Sequence, residues 1–285
     1  MKFFSIRYCA VIALSAIGIL TAKADDDFGL WTEVEVEKSL PHNFDLSFEG
    51  EIRTEDCMKQ VDRFGATLSL GYKISKFMKV KVGYAMIYSY YPTERKEKYM
   101  DIAQDVDDEY KEYYWEGYNI TDSYWSLRHR FKADVTFDKK FFKCIKISLR
   151  ERYQYTHRPE MEVDRLKYRY VRTPLPEGGF LDELRPGYPE ADPDVKHEKN
   201  THYLRSRLEI EWDKKKCDWG PFVSFELYND LQNSMDMDEY KIMAGTSYKI
   251  SKNHRVKLSY LFNHNIEDSA GENRHVIVLG YTYKF

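Results

Sequence analysis

The chain has 285 residues, of which 32% are charged and 42% belong to the hydrophobic class, and its mean hydropathy is −0.67. This polarity excludes a bundle of membrane-spanning helices. The aromatic content is unusual, because 24 Tyr, 16 Phe and 5 Trp make up 16% of the chain. Such a composition excludes a disordered or collagenous chain, but it fits both a soluble all-β domain and a membrane barrel.

The first 24 residues have the three parts of a secretory signal peptide. Lys2 and Arg7 form a short basic region, an apolar run follows from Tyr8 to Leu20, and Ala22-Lys23-Ala24 is a small-x-small cleavage site. We expect residues 25–285 to form one mature domain with 41 basic and 47 acidic residues, a net charge of −6. This charge disfavours nucleic acid as a partner.

Three cysteines remain in the mature chain, an odd number for an oxidising compartment. At most one intramolecular disulfide can therefore form. Cys57, Cys144 and Cys217 are far apart in sequence and have no metal-binding spacing. We expect scattered thiols near turns, and the sequence indicates no metal and no cofactor.

From residue 28 onward, apolar and polar residues alternate with the period of β-strands. In residues 125–137 the apolar face alternates with a face that carries Arg128, Arg130 and Lys132, which requires water or a polar interior. Each segment has roughly ten residues, enough to cross a bilayer as a tilted strand. The count is eleven segments: about 28–36, 44–53, 63–74, 78–89, 125–137, 144–155, 203–212, 221–229, 240–250, 255–263 and 275–285.

The connections between these segments alternate in length, a rhythm typical of outer-membrane barrels with short periplasmic turns and long external loops. Short connections are predicted near 39–43, 75–77, 138–143, 213–220 and 251–254. Long connections are predicted near 54–62, 90–123, 156–202, 230–239 and 264–274. Single-chain bacterial barrels have an even number of strands. Eleven segments therefore predict either ten strands without the first segment, or twelve with the addition of 165–172.

The last strand ends on alternating apolar residues and a terminal aromatic residue. Tyr281, Tyr283 and Phe285 share one face with Ile277 and Leu279. This ending resembles the C-terminal signal by which gram-negative barrel proteins are handed to the outer-membrane assembly machinery. Combined with the signal peptide, it predicts a monomer in the outer membrane of a gram-negative bacterium, with lipid and the assembly machinery as partners.

Aromatic residues near the ends of the apolar strand faces predict girdles at the two membrane interfaces. This set consists of Trp31, Tyr72, Tyr84, Tyr88, Trp125, Tyr153, Trp212, Tyr240, Tyr248, Tyr260 and Tyr283.

The opposite, polar faces would line the lumen, where acidic and basic residues come from different strands. The first two strands provide Glu33, Glu35, Glu49 and Glu51. The middle strands provide Arg128, Arg130, Lys132, Arg150, Arg152, Arg205 and Arg207. In a barrel of ten to twelve strands these sets can meet across a narrow lumen. They predict either a salt-bridged core that fills the interior, or a pore or ligand site whose basic wall favours anions.

The two longest connections suggest other roles. Segment 90–123 is acidic and rich in aromatic residues, so it could bind a partner or a glycan, or pack on itself. Segment 156–202 is rich in proline and glycine, which predicts an extended or partly mobile chain.

A hydrolase at the outer rim is a further hypothesis. Its candidate residues are four histidines near the outer ends of strands, together with one aspartate and two serines that lie close to them in the predicted barrel. No G-x-S-x-G motif occurs, and we expect that the protein is not an enzyme. The residues concerned are His157, His202, His264, His275, Asp122, Ser123 and Ser206.

Several short motifs resemble those of an uncharacterised family of gram-negative outer-membrane proteins, known as domain of unknown function 2490. They are Phe28-Gly29-Leu30-Trp31, Asp62-Arg63-Phe64, Arg128-His129-Arg130-Phe131, Arg150-Glu151-Arg152-Tyr153-Gln154-Tyr155, Leu204-Arg205-Ser206-Arg207 and Gly280-Tyr281-Thr282-Tyr283-Lys284-Phe285. The resemblance implies a barrel and no established activity.

The residues and the resemblance together predict an all-β fold, a transmembrane antiparallel β-barrel of ten to twelve strands. Its predicted function is a narrow pore or a barrel that binds or transports a small molecule. The alternative is a structural or surface-interaction barrel whose aromatic and acidic loops bind a partner or glycan.

Overall fold

The computed structural model of the protein describes residues 27–101, 113–214, 217–266 and 273–285, so the predicted signal peptide lies outside the described residues. Within these ranges the chain forms strands, and no helix is long and apolar enough to cross a membrane. The strands are β1 (Asp27–Ser39), β2 (Phe44–Glu55), β3 (Gln60–Lys73), β4 (Met78–Tyr91), β5 (Glu94–Asp101), β6 (Tyr113–Thr121), β7 (Tyr124–Phe141), β8 (Ile145–Arg158), β9 (Met161–Val163), β10 (Arg165–Pro174), β11 (Phe180–Leu184), β12 (Glu190–Ala191), β13 (Asp194–Lys196), β14 (Lys199–Trp212), β15 (Trp219–Asp230), β16 (Asp236–Lys249), β17 (His254–Asn265) and β18 (Asn273–Lys284).

Eleven of these strands close into a barrel, in the order β1-β18-β17-β16-β15-β14-β8-β7-β4-β3-β2. The predicted all-β barrel is thereby confirmed, and its strands coincide with the eleven segments counted in the sequence. The expectation of an even number was wrong, because β1 and β18 run in the same direction and close the barrel as a parallel pair. Segment 165–172 is indeed a strand, but it belongs to β10 in a separate sheet.

The two ends of the barrel differ in their connections. At the turn end, defined by the β1/β2, β3/β4, β7/β8, β14/β15 and β16/β17 connections, three to six residues separate the paired strands. In the β1/β2 connection His42 and Asn43 have φ of 60° and 65°, the left-handed conformation of the central residues of a type I′ turn. At the opposite loop end, 56–59 and 231–235 are also tight turns. The predicted long connections at 54–62 and 230–239 were therefore wrong.

The barrel wall is apolar outside and polar inside, which follows from strict alternation along each strand. On the outer face Leu68 is 53% exposed and Val82 is 57% exposed. On the inner face Ser69 is 6% exposed and Gln154 is 4% exposed. A soluble barrel has the reverse distribution, with its large apolar side chains inside.

One side of the interior is nevertheless apolar. A buried cluster lies on the inner faces of β1 and β15 to β18, next to the parallel seam between β1 and β18; its members are Trp31, Phe222, Met243, Leu261, Val276 and Val278. Trp31 was predicted in an outer girdle, but it shares the face of Glu33 and points inward. Its ring lies 3.8 Å from the guanidinium carbon of Arg53, a cation–π contact inside the barrel.

A second compact unit consists of the described parts of Tyr90–Ser126 and Arg158–Lys199, which join β4 to β7 and β8 to β14. It contains a sheet in the order β11-β10-β6-β5, with β12 paired to β10, and a separate β9/β13 pair. Much of the proline-rich segment is therefore strand. In the sequence its short strands are obscured by the prolines and glycines between them.

Candidate functional site in the barrel interior

All eleven predicted lumen residues lie on the inner face of the wall. Register shows this directly, because Arg207 pairs with Glu226 across β14 and β15, and Arg152 pairs with Asp134 across β8 and β7. Glu226 is 2% exposed and Asp134 is 7% exposed, so these rows point away from solvent. The acidic members occupy β1 and β2, and the basic members occupy β7, β8 and β14.

Three of the predicted arginines converge on Glu226, which sequence analysis did not select. The Glu226 Oε1 atom accepts hydrogen bonds from Arg150 Nη2 at 2.6 Å and from Arg205 Nη2 at 3.0 Å. Its Oε2 atom accepts one from Arg207 Nη2 at 2.9 Å. Arg205 also donates to Gln154 Oε1 at 2.8 Å. This Glu226 network fills the interior beside β8, β14 and β15 with charges that have partners.

A second closed pair lies next to this network. Arg152 donates two parallel hydrogen bonds to Asp134, both of 2.7 Å, the bidentate geometry that arginine and carboxylate prefer. Glu226 and Asp134 each occupy the inward register of their strand, and Glu226 is the only charge between Trp219 and Tyr228. A single charge in an otherwise uncharged strand was the feature of the sequence that could have identified Glu226 as a functional or structural residue.

The acidic set of β1 and β2 does not pair with the predicted arginines in the described part of the chain. Glu51 instead binds Arg53 of its own strand at 2.7 Å, and Glu35 lies 3.7 Å from Lys81. Gly65 on β3 supports this arrangement, because a Cβ there would meet the Glu51 carboxyl carbon at 2.9 Å. The predicted meeting of the two sets across the lumen therefore does not occur through direct ion pairs.

Two predicted cations, Arg130 and Lys132 on β7, contact hydroxyl groups. Arg130 Nε donates to Thr156 Oγ1 at 3.1 Å, and Lys132 Nζ donates to Thr67 Oγ1 at 3.4 Å. Among the residues that the structure describes, no carboxylate lies within ion-pair distance of either. Arg128 lies on the same face, closer to the loop end.

A cavity of about 440 Å³ lies at the loop end of the barrel. Its lining is polar and consists of Asp27, Glu55, Asp56, Glu239, Asn263, Asn265, Asn273 and Arg274. Arg274 spans part of this lining, since it lies 3.2 Å from Asp27 and 3.6 Å from Glu55.

A family model described as "Protein of unknown function (DUF2490)" matches residues 28–275. The chain belongs to the DUF2490 family. This confirms the resemblance found in the sequence. No curated protein matches the chain. The DUF2490 match includes most of β1, all of β2 to β17 and the start of β18, so it covers the second unit, most of the barrel and every predicted lumen residue discussed above.

The histidines of this DUF2490 chain that were considered for hydrolysis have tyrosine or asparagine partners. The Nδ1 atoms of His157 and His264 lie 2.8 Å from Asn200 and Asn273 respectively. The Nδ1 atoms of His202 and His275 lie 2.8 Å from Tyr153 and 2.5 Å from Tyr260. Ser206 donates to Glu151 at 2.6 Å, and both Asp122 and Ser123 belong to the second unit.

The predicted assembly signal lies on the outer face at the turn end. Tyr283 and Phe285 stack with their ring centroids 5.6 Å apart, and Tyr281 contacts His254 Nδ1 at 2.7 Å. Phe285 is 52% exposed, so its ring is available on the surface. The three cysteines are free thiols, and the described residues contain no group of metal-ligating side chains.

Proposed function

We propose that the protein is an outer-membrane barrel that admits or binds small charged solutes in its lumen. The reversed polarity of the wall carries this proposal. Its outer face exposes large apolar side chains on every part of the wall, for example Phe48 at 52% and Leu258 at 52%. Water disfavours so large an apolar surface, whereas hydrocarbon accommodates it and a closed barrel leaves no backbone group unpaired.

Aromatic pairs at both ends of the outer face support the same environment. At the turn end, Phe44 packs on Tyr72 at 4.8 Å and Trp219 on Tyr248 at 4.9 Å. Towards the loop end, Tyr240 on β16 packs on His264 of β17 at 5.1 Å. Amphipathic rings at two levels are the arrangement expected at the two interfaces of a bilayer.

The lumen favours charged solutes over apolar ones. A barrel of about eight strands is just filled by its own side chains, so eleven strands leave narrow space between them. The Glu226 network occupies one part of the interior, and a polar cavity lies at the loop end. Because Arg130 and Lys132 lack carboxylate partners in the described chain, the site attracts negative groups.

Reconstitution of the purified full chain tests this function. We expect conductance in planar bilayers, or a rise in unfolding temperature with small charged solutes. Lys132→Met should alter the ion selectivity, whereas Lys139→Met should not, because Lys139 lies on the outer face of the same strand. Neither conductance nor ligand-dependent stabilisation in a folded barrel would overturn the proposal.

Glycan binding by the second unit is a second candidate function, favoured by its aromatic sheet. Tyr118 and Tyr168 stack at 4.7 Å, and Trp115 and Tyr170 stack at 5.2 Å, across β6 and β10. Arg95 covers the Tyr118 ring at 3.8 Å and Arg172 covers the Trp115 ring at 4.7 Å, so a sugar ring would bind here by displacing a guanidinium group from an aromatic face. We expect Trp115→Ala to reduce adhesion of intact cells to immobilised glycans, and Lys167→Ala to leave it unchanged. Equal adhesion with Trp115→Ala would contradict this role.

A further inference from the structure

We infer that the lumen is selective for small zwitterions, molecules that carry a carboxylate and an ammonium group a few bonds apart. The inference rests on the proposed function and names its substrate class. Two sets of charged side chains in the described interior carry it. They are the cationic row, Arg130 and Lys132 on β7, and the acidic row, Glu33 on β1 and Glu49 on β2.

Neither row is neutralised by direct ion pairs. The side chains of the cationic row donate hydrogen bonds to the Thr156 and Thr67 hydroxyl groups. On β1 and β2 the ion pairs use other carboxylates, such as Glu51 and Glu35. In the described ranges, no basic side chain lies within ion-pair distance of Glu33 or Glu49.

The two rows are close enough to act on one molecule. Lys132 Nζ donates to Thr67 Oγ1 at 3.4 Å, and Thr67 is the register partner of Glu49 across β3 and β2. Glu49 pairs in turn with Glu35 on β1, the next inward residue after Glu33. The wall between the two rows has uncharged side chains, since β4 presents Ala85 and Ile87, each 2% exposed.

Two other carboxylates of the interior are already engaged. Glu226 accepts hydrogen bonds from three arginines, and Asp134 is bound in bidentate fashion by Arg152. These carboxylates are therefore not free to neutralise the cationic row. Half-buried charges without partners are costly, and a ligand that supplies the missing charge is stabilised accordingly.

Ligand chemistry follows from this arrangement. A carboxylate can accept hydrogen bonds from the Arg130 guanidinium and the Lys132 ammonium group. An ammonium group on the same molecule can then face Glu49 and Glu33. A simple anion would satisfy the cationic row but would meet the negative charge of Glu49, and a simple cation would meet the opposite conflict. A zwitterion compensates both rows at once.

Solute entry into liposomes that contain the full-length protein tests this inference. The probes are glycine and its neutral isomer glycolamide, together with acetate and ethylammonium as singly charged ions. We expect glycine to enter about tenfold faster than glycolamide, a difference of about 1.4 kcal/mol. We also expect glycine, and not glycolamide, to raise the unfolding temperature.

Variants of the two rows separate selectivity from folding. Lys132→Met and Glu49→Gln should each abolish the preference for glycine, because each removes one charge of a row that the zwitterion compensates. Lys139→Met on the outer face is the matched control. The inference would be overturned if both single variants kept the preference for glycine. It would also be overturned if all four probes entered at equal rates and raised the unfolding temperature of the wild-type protein equally. If no probe enters or stabilises the folded wild type, the proposed function itself fails.

Discussion

Two regions of one interior handle buried charge in opposite ways. Around Glu226, three arginines from β8 and β14 share one carboxylate, and every charged group has a close partner. On the neighbouring strand β7, Arg130 and Lys132 have only hydroxyl groups within hydrogen-bond distance among the described residues. The first region is therefore closed by its own ion pairs, and the second is open to an external partner.

The difference shows that a high density of charge does not by itself define a functional site. Buried ion pairs that are complete contribute to the structure, and removal of one partner is strongly destabilising. Charged side chains that have no ion-pair partner in a folded protein are instead candidates for ligand binding or ion conduction. The distinction between the two regions depends on a few distances, and mutations can test it.

The largest effect is expected for Glu226→Gln. This change leaves three buried arginines without their shared counter-charge, which should lower the free energy of unfolding by about 3–5 kcal/mol. Urea unfolding of the detergent-solubilised or lipid-reconstituted barrel measures this quantity. Glu209→Gln is the matched control, because Glu209 lies on the same inner face of β14 and faces Ser224. Equal unfolding midpoints for Glu226→Gln and the wild type would contradict a structural role for the network.

A smaller effect on stability is expected for Lys132→Met. Since this substitution removes a half-buried cation that has no carboxylate partner in the described chain, the unfolding free energy should change by less than about 1 kcal/mol or increase. The same urea titration provides the measurement. If Lys132→Met cost as much as Glu226→Gln, the two regions would not differ as described.

The smallest effect on stability is expected when acid protonates the exposed ion pairs of the second unit. Hydrogen bonds from Lys167 and Arg165 lower the pKa of Asp192, and one from Lys196 lowers the pKa of Asp194. A lowered folded-state pKa means that this stabilisation is present above the ordinary aspartate range and is lost as the pH falls through the folded value. We therefore expect modestly faster limited proteolysis within 161–196 under acidic conditions. A rate independent of pH would show that these pairs contribute nothing, as exposed pairs often do.

The wall of the barrel could be predicted from the sequence, because alternation along a strand depends only on local geometry. All eleven segments were found for this reason. Their closure could not be predicted, since pairing of β1 with β18 joins residues from opposite ends of the chain. Without information on that pair, the strand number was assumed to be even, as in other single-chain bacterial barrels. Trp31 was misplaced because aromatic character was given more weight than its register with Glu33.

The interior was predicted in composition but not in its contacts. Alternation assigns Arg150, Arg205 and Arg207 to the inner face, yet it does not indicate which carboxylate each one meets. Those partners depend on the relative stagger of β8, β14 and β15, which is a property of the whole barrel. The second unit was missed for a different reason. Its strands are short and interrupted by turns, so they resemble a loop in composition.

The parallel seam also determines the path of the polypeptide. Asp27 pairs with Arg274 at one end of the seam, and Glu37 pairs with Lys284 at the other. The chain therefore enters the wall at the opposite end from the one at which it leaves. In a bilayer, an epitope placed immediately before Asp27 and one placed after Phe285 would face different compartments.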